Sequence, residues 1–153
     1  LVSLQERVAS YGRQIAVLAR RDPNIARLQT IPGIGPITAS AIASTIGSAH
    51  QFRSGRDLAA WLGLTPLNRS SGGKERLGRI SKMGDRYIRR LLVLGMTSRI
   101  KQIQQRPEQF DPWFADILEH KPPKLAAVAM ANKTARIIWA VLTREQDYRI
   151  RAI

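Results

Sequence analysis

A chain of 153 residues is long enough for one buried core and short of the ~250–300 residues at which chains divide. Apolar residues make up 44% and charged residues 24%, a globular balance, and the absence of Cys excludes disulfides and cysteine zinc modules. The formal net charge of +14, from 25 Lys and Arg against 11 Asp and Glu, points to a polyanionic partner.

The charge is unevenly spread. Residues 69–101 hold ten cations and two acids, residues 121–153 seven cations and two acids, and residues 102–120 one cation and four acids. A surface made basic only for solubility would be more even. No apolar run approaches the ~20 residues of a membrane span and no signal-peptide pattern opens the chain, which predicts a soluble, cytoplasmic protein with no membrane partner. The start at Leu1 in mid-pattern predicts a part of a longer protein.

The spacing of Leu1, Leu4, Val8, Tyr11, Ile15 and Leu18 predicts a helix from Leu1 to Arg20 with a seam. That seam is either a helix packing on its own domain or a coiled-coil surface for a second copy. Residues 1–22 thus form the end of a coiled coil or linker helix, and residues 23–153 a helical domain. Asp22-Pro23 breaks the pattern. A short helix around Ile25–Thr30, a tight turn and an Ala-rich helix from Thr38 to Ile46 follow, so that a helix-hairpin-helix is expected at about 25–47. Arg56–Leu62 predicts a short helix with Leu58, Trp61 and Leu62 inward, stopped by Gly63.

Residues from about 65 to 84 are rich in Pro, Ser and Gly and are read as a loop, basic at Arg69, Lys74, Arg76, Arg79 and Lys82. Asp85 is placed to cap a helix with Ile88, Leu91, Leu92, Gly95, Ile100 and Ile103 on one side and Arg86, Arg89, Arg90 and Arg99 reaching solvent. A short helix runs from Pro112 to Glu119. A last helix, Lys124–Thr143, is expected to bury Leu125, Val128, Ala129, Ile138, Trp139 and Leu142. No strand pattern stands out, and the expected class is all-α.

In the turn Ile31-Pro32-Gly33-Ile34-Gly35-Pro36, glycines at 33 and 35 allow positive φ and close backbone approach. The helix that follows aims unpaired N–H groups and a positive dipole end at any anion in front of it. Gly33, Ile34 and Gly35 are therefore candidate DNA-backbone contacts, the alternative being a purely structural turn. His50 and His120 lack ligand spacing, so no metal site is assigned. Trp61, Trp113 and Trp139 stand at helical positions that favour core over base stacking.

The strings Leu62-Gly-Leu-Thr-Pro66, Arg69-Ser-Ser-Gly-Gly-Lys74, Arg76-Leu-Gly-Arg-Ile-Ser-Lys82 and Gly84-Asp-Arg-Tyr-Ile-Arg-Arg90, in this order behind the Ile31 turn, resemble the C-terminal domain of insertion-sequence transposases of the 110 and 1111 type. The resemblance runs over roughly residues 25–100. It implies DNA cleavage and rejoining by a serine nucleophile, Ser71 or alternatively Ser70, with DNA held by Arg69, Lys74, Arg76, Arg79, Lys82, Arg86, Arg89 and Arg90. It further implies a separate N-terminal nuclease-like domain with an acidic tetrad and magnesium, a guide RNA, a bacterial host and a homo-oligomer. The chain by itself, without the tetrad, is expected to bind DNA and not cut it. The rival readings are a non-catalytic helix-hairpin-helix DNA-binding module and a base-excision enzyme, the latter needing a Lys or Asp just past the turn, where Asp57 is the only nearby acid.

Overall fold

The structure, a computed structural model, describes residues 3–69, 71–74 and 77–150. Its helices are α1 (Leu4–Ala19), α2 (Pro23–Leu28), α3 (Pro36–Ile46), α4 (Gly55–Trp61), α5 (Arg86–Gln105), α6 (Pro112–His120) and α7 (Pro123–Arg144), with single 3-10 turns at Ala49–Gln51 and Pro107–Gln109. The protein is mostly α, as expected. The exception is a two-stranded antiparallel sheet, β1 (Pro66–Asn68) and β2 (Leu77–Ile80), inside the segment expected to be an irregular loop.

Side-chain caps set the helix starts. Ser3 and Glu6 form a reciprocal capping box on α1: the Ser3 hydroxyl accepts from the Glu6 amide and the Glu6 carboxylate accepts from the Ser3 amide. Asp22 accepts from the Asn24 amide at 2.8 Å in front of Pro23. Asp85 accepts from the Ile88 amide at 2.7 Å and starts α5. Each cap satisfies an N–H group that the helix itself leaves unpaired.

The core is organised around α7, which packs against α4, α5 and α6. Ile138 and Leu142 are buried as expected, but most of the buried stripe is small: Ala126, Ala127, Ala131 and Ala135, with Met130 and Thr134. Leu125, expected inside, is 60% exposed, and Val128, Ala129 and Trp139 are half-buried. Small side chains let helices approach closely, and at Gly55 on α4 an added Cβ would lie 2.9 Å from the Arg136 Cα. Ranking positions by hydrophobicity favoured Leu and Val over these alanines and rotated the inferred face. By length and hydropathy α7 could cross a membrane; here that apolar surface covers other helices instead.

On α5, Ile88, Leu92, Met96 and Ile103 are buried. Leu91, Gly95 and Ile100 are half-buried, as is Arg99, which was expected in solvent. Trp139 donates its indole N–H to the Phe52 carbonyl at 3.1 Å, and Trp113 packs on the core edge. Trp61, expected inward, is 39% exposed, its ring tilted against Phe52 at 5.5 Å.

Ile31-Pro32-Gly33-Ile34 closes a turn through the Ile34 amide and Ile31 carbonyl at 3.1 Å. Gly33 has φ of 88°, the value a Pro-Gly type II turn requires. Ile31 and Ile34 anchor it in the core. The turn lies directly on α5: a Cβ on Gly95 would sit 2.2 Å from the Gly33 carbonyl oxygen, and a Cβ on Gly33 would sit 2.2 Å from the Met96 methyl carbon.

Gly95→Ala is expected to destabilise the fold by about 1–3 kcal/mol, the usual cost of overpacking, read as a lower urea midpoint. Gly12→Ala, in α1 with nothing within 4 Å of the new methyl, should instead stabilise by roughly 0.5–1 kcal/mol through helix propensity.

Candidate nucleic-acid interface

The chain leaves α4 through a Schellman motif. Gly63, at φ of 71°, donates to the Ala60 carbonyl at 2.9 Å, and Leu64 donates to the Ala59 carbonyl at 3.0 Å. Beyond it the chain runs out along β1, reverses, and returns along β2 to the start of α5. The reversal is a two-residue turn, Ser71-Gly72-Gly73-Lys74, with Ser71 and Lys74 bridged and φ of 63° and 78° at the two glycines. Two consecutive positive φ values define the hairpin turn whose twist matches its strands, and glycine adopts them without steric cost. The described residues of 65–82 thus form a β-hairpin arm, and the Gly-Gly pair flanked by Leu67 and the Leu77-Gly78-Arg79-Ile80 alternation is the signal that identifies it.

The arm is fixed at its root. The Ser81 amide donates to the Thr65 carbonyl at 2.9 Å and the Lys82 amide to the Gly63 carbonyl at 3.0 Å. Backbones meet so closely there that a Cβ on Gly63 would lie 2.1 Å from the Met83 carbonyl oxygen, and one on Gly84 would lie 1.7 Å from that of Trp61. The Arg89 guanidinium donates through one nitrogen to the Leu62 carbonyl at 2.9 Å and the Met83 carbonyl at 3.3 Å. Asn132 on α7 donates to the Leu64 carbonyl at 3.0 Å. Both ends of the arm are thereby tied to the helical core.

Ser71 sits at the exposed tip with Gly72, Gly73 and Lys74. Arg69, Arg79 and Lys82 are exposed along the arm, and the Arg69 side chain passes within 3.3 Å of a Cβ built on Gly78 across the hairpin. Arg86 and Arg90 are exposed in the first turns of α5 at the root. Ser70 and Arg76 lie outside the described residues. Among the described residues the ion pairs are Lys133–Asp111 and His120–Asp116, both on the α6–α7 side, so Arg69, Lys74, Arg79, Lys82, Arg86 and Arg90 have no acid partner there. A cation at a helix N-terminus opposes the helix dipole, and Arg86 does so beside the Asp85 carboxylate that caps α5.

Arg89 differs from its neighbours. It is half-buried, and its bonds to two carbonyls hold the arm's root, a role that in one dimension looks the same as that of a surface cation.

The glycines of the Ile31 turn also divide. Gly33 faces α5, whereas Gly35 caps α3 with φ of −91° and ψ of 179°, no side-chain cap, and nothing within 4 Å of a built Cβ. Gly35, Pro36 and Ile37 are exposed; Pro36 has no N–H and the Ala39 amide donates to the Gly35 carbonyl at 2.9 Å, so the unpaired first-turn amides of α3 are those of the exposed Ile37 and the buried Thr38. Ile34 is buried and supports the turn from beneath.

No group of three or more His, Asp or Glu side chains that could hold a cation occurs among the described residues. The described side chains of the arm bring hydroxyl, ammonium and guanidinium groups. The His120 pKa is raised by its ring nitrogen's contact with the Asp116 carbonyl and then by the Asp116 charge; it is exposed, away from the arm, and takes no part in the site.

The sequence profile of the family described as Transposase IS116/IS110/IS902 matches residues 25–111, a span that includes the Ile31 turn, the arm and α5. A probable family 20 transposase of Pseudomonas aeruginosa is 47% identical over 97% of this chain and 44% of its own length. The transposase for insertion sequence element IS1111A of Coxiella burnetii is 36% identical over 97% of this chain and 41% of its own, and that for IS1328 of Yersinia enterocolitica is 38% identical over 92% and 42%. The chain belongs to the IS116/IS110/IS902 transposase family. It spans less than half the length of the relatives it matches.

If Arg89 fixes the arm's root, Arg89→Ala should speed hydrogen exchange at the Ser81 and Lys82 amides by about ten-fold or more while amides inside α7 keep their protection. Uniform acceleration across the chain would mean that Arg89 serves global stability instead.

Proposed function

We propose that this chain is the DNA-holding, serine-bearing part of a transposase, and that Ser71 at the arm's tip is its nucleophile. The observation that carries the reading is an exposed hydroxyl at the end of a root-fixed arm whose described cations have no acid partners. In the reaction the Ser71 Oγ bonds to phosphorus, the bond from phosphorus to one strand's oxygen breaks, and that oxygen leaves with a proton as a hydroxyl. The resulting phosphoserine keeps the phosphodiester's bond energy, and a second strand's hydroxyl reverses the step to reseal DNA. Lys74, Arg69 and Arg79, with Arg76 in sequence beside them, supply positive charge for the pentavalent phosphate. A serine hydroxyl needs a base, and no His or carboxylate of the described arm stands beside Ser71. Its activation is assigned to a nuclease-like domain with its acidic tetrad and magnesium elsewhere in the longer protein, so the chain alone binds DNA without cutting it.

DNA backbone is held at two places, the arm with Arg86 and Arg90, and the N-terminus of α3 at Gly35. Choice of site belongs to a guide RNA. The seam of α1 supports pairing with a second copy: Leu4, Val8, Tyr11 and Leu18 are 58–76% exposed, although Ile15 is half-buried, Ala19 is buried and α1 also packs on α3. A non-catalytic grip on DNA remains the alternative.

Ser71→Ala in the full-length protein should abolish the covalent protein–DNA adduct and lower strand transfer on the order of 10³-fold or more, with duplex affinity unchanged. An adduct that persists and maps to Ser70 moves the nucleophile by one residue, and transfer that persists with no serine adduct leaves only the DNA-binding module. Gly35→Asp should cap α3 and keep or raise the melting temperature, yet weaken duplex binding about three- to ten-fold by placing a carboxylate where phosphate would sit. Unchanged affinity would remove α3 from the DNA contact.

A further inference from the structure

A cleft of about 620 Å3 opens between α6, the second half of α7 and residues 146–149. We propose that it is a second nucleic-acid site, taking one nucleotide unit of a single strand, with phosphate on guanidinium groups and sugar and base over the apolar floor. The site is independent of the arm and of Ser71.

The floor is one stripe of α7, Ile137, Ala140 and Val141, at the spacing of adjacent turns. Cations flank it at Lys133, Arg136 and Arg144, and Arg149 stands opposite on the tail. Lys133 is already engaged: its Nζ lies 3.0 Å from the Asp111 carboxylate and 4.7 Å over the Trp113 ring. The three arginines have no ion pair among the described residues, although Asp147 lines the same cleft. The Arg136 Nε is buried with no hydrogen-bond partner, whereas buried polar groups in folded proteins are nearly always paired. The Arg99 Nε and Ser40 Oγ are in the same state elsewhere, so the charge open to a ligand here is that of Arg144 and Arg149, both exposed.

The opposite wall is held in place. The Tyr148 amide donates to the Thr30 hydroxyl at 2.8 Å, tying the tail to the end of α2. Burial pushes the Tyr148 phenol up, with Asp111 adding to it, so it brings no negative charge at neutral pH. The volume falls within the roughly 300–1,000 Å3 of small-ligand pockets, more than a lone phosphate fills. A duplex shows phosphates on a convex surface with its bases stacked inside, and does not enter a concave, one-nucleotide cleft; an unpaired strand does. Strands of RNA and DNA share this chemistry.

Anisotropy titrations of the chain with labelled short mixed-sequence single-stranded RNA, single-stranded DNA and duplex DNA at several salt concentrations test the site. Arg144→Gln with Arg149→Gln is compared with Arg7→Gln plus Arg13→Gln on α1, which removes equal charge elsewhere, and thermal melts establish that both variants fold. The cleft double variant should weaken at least one single strand by about five-fold and lower its log K against log salt slope by about 0.7, the value for one lost phosphate contact on a single strand. Duplex affinity should stay within about two-fold. Loss for RNA alone, DNA alone or both identifies the strand. Single-strand affinities left intact, an equal loss for duplex, or the same loss in the α1 control overturns the site. Absence of duplex binding in every protein would instead count against the arm, leaving the cleft to be judged by the single strands.

Discussion

The close backbone packing where the hairpin departs from the helical core is the constraint on which the arm depends. At Gly63 and Gly84 a methyl group would overlap a carbonyl oxygen of the facing chain. Main chain on main chain leaves no side-chain freedom to take up slack, and the resulting geometry is as fixed as the helices on either side. Arg89 and Asn132 add hydrogen bonds to carbonyls that the end of α4 would otherwise leave open. An isolated two-stranded hairpin is marginal in water. This one is anchored at its root by a junction the core itself builds.

Electrostatics then set what the arm is suited to meet. The core keeps ionic pairing to the α6–α7 side, with Lys133 and Asp111 each about one-fifth exposed, while the described cations of the arm and the start of α5 face water without acids. Charges in that state contribute little to folding and repel one another. On the proposed reading, a phosphate backbone relieves that repulsion.

Much of the fold was legible because the chain marks its boundaries with capping residues. Asp22-Pro23, Asp85 and Gly63 each stand where a helix begins or ends, for reasons local to a few residues; the Ser3–Glu6 capping box that starts α1 carries the same kind of signal, whereas the spacing of the seam residues placed that start at Leu1. Long-range packing was less accessible. Four alanines lie in the buried stripe of α7, which matter because α4 and α5 press close, and nothing within α7 records that pressure. Arg89 reads like Arg86 and Arg90 in one dimension; only the positions of the Leu62 and Met83 carbonyls separate them. The hairpin could have been recognised from Gly72-Gly73, but its polar, glycine-rich setting resembled a loop. The cleft beside α7 depends on residues 146–149 folding back to Thr30, a contact across 118 positions.

The contact between Gly33 and Gly95 has a mechanical corollary. Arg89 and Gly95 occupy one unbroken helix, six positions and so about 9 Å apart along its axis. The turn that leads into α3 and the root of the hairpin therefore rest on a common rod. Tilting that rod carries both along, and their separation is as incompressible as the helix between them, so the two outward features work as the fixed jaws of a caliper.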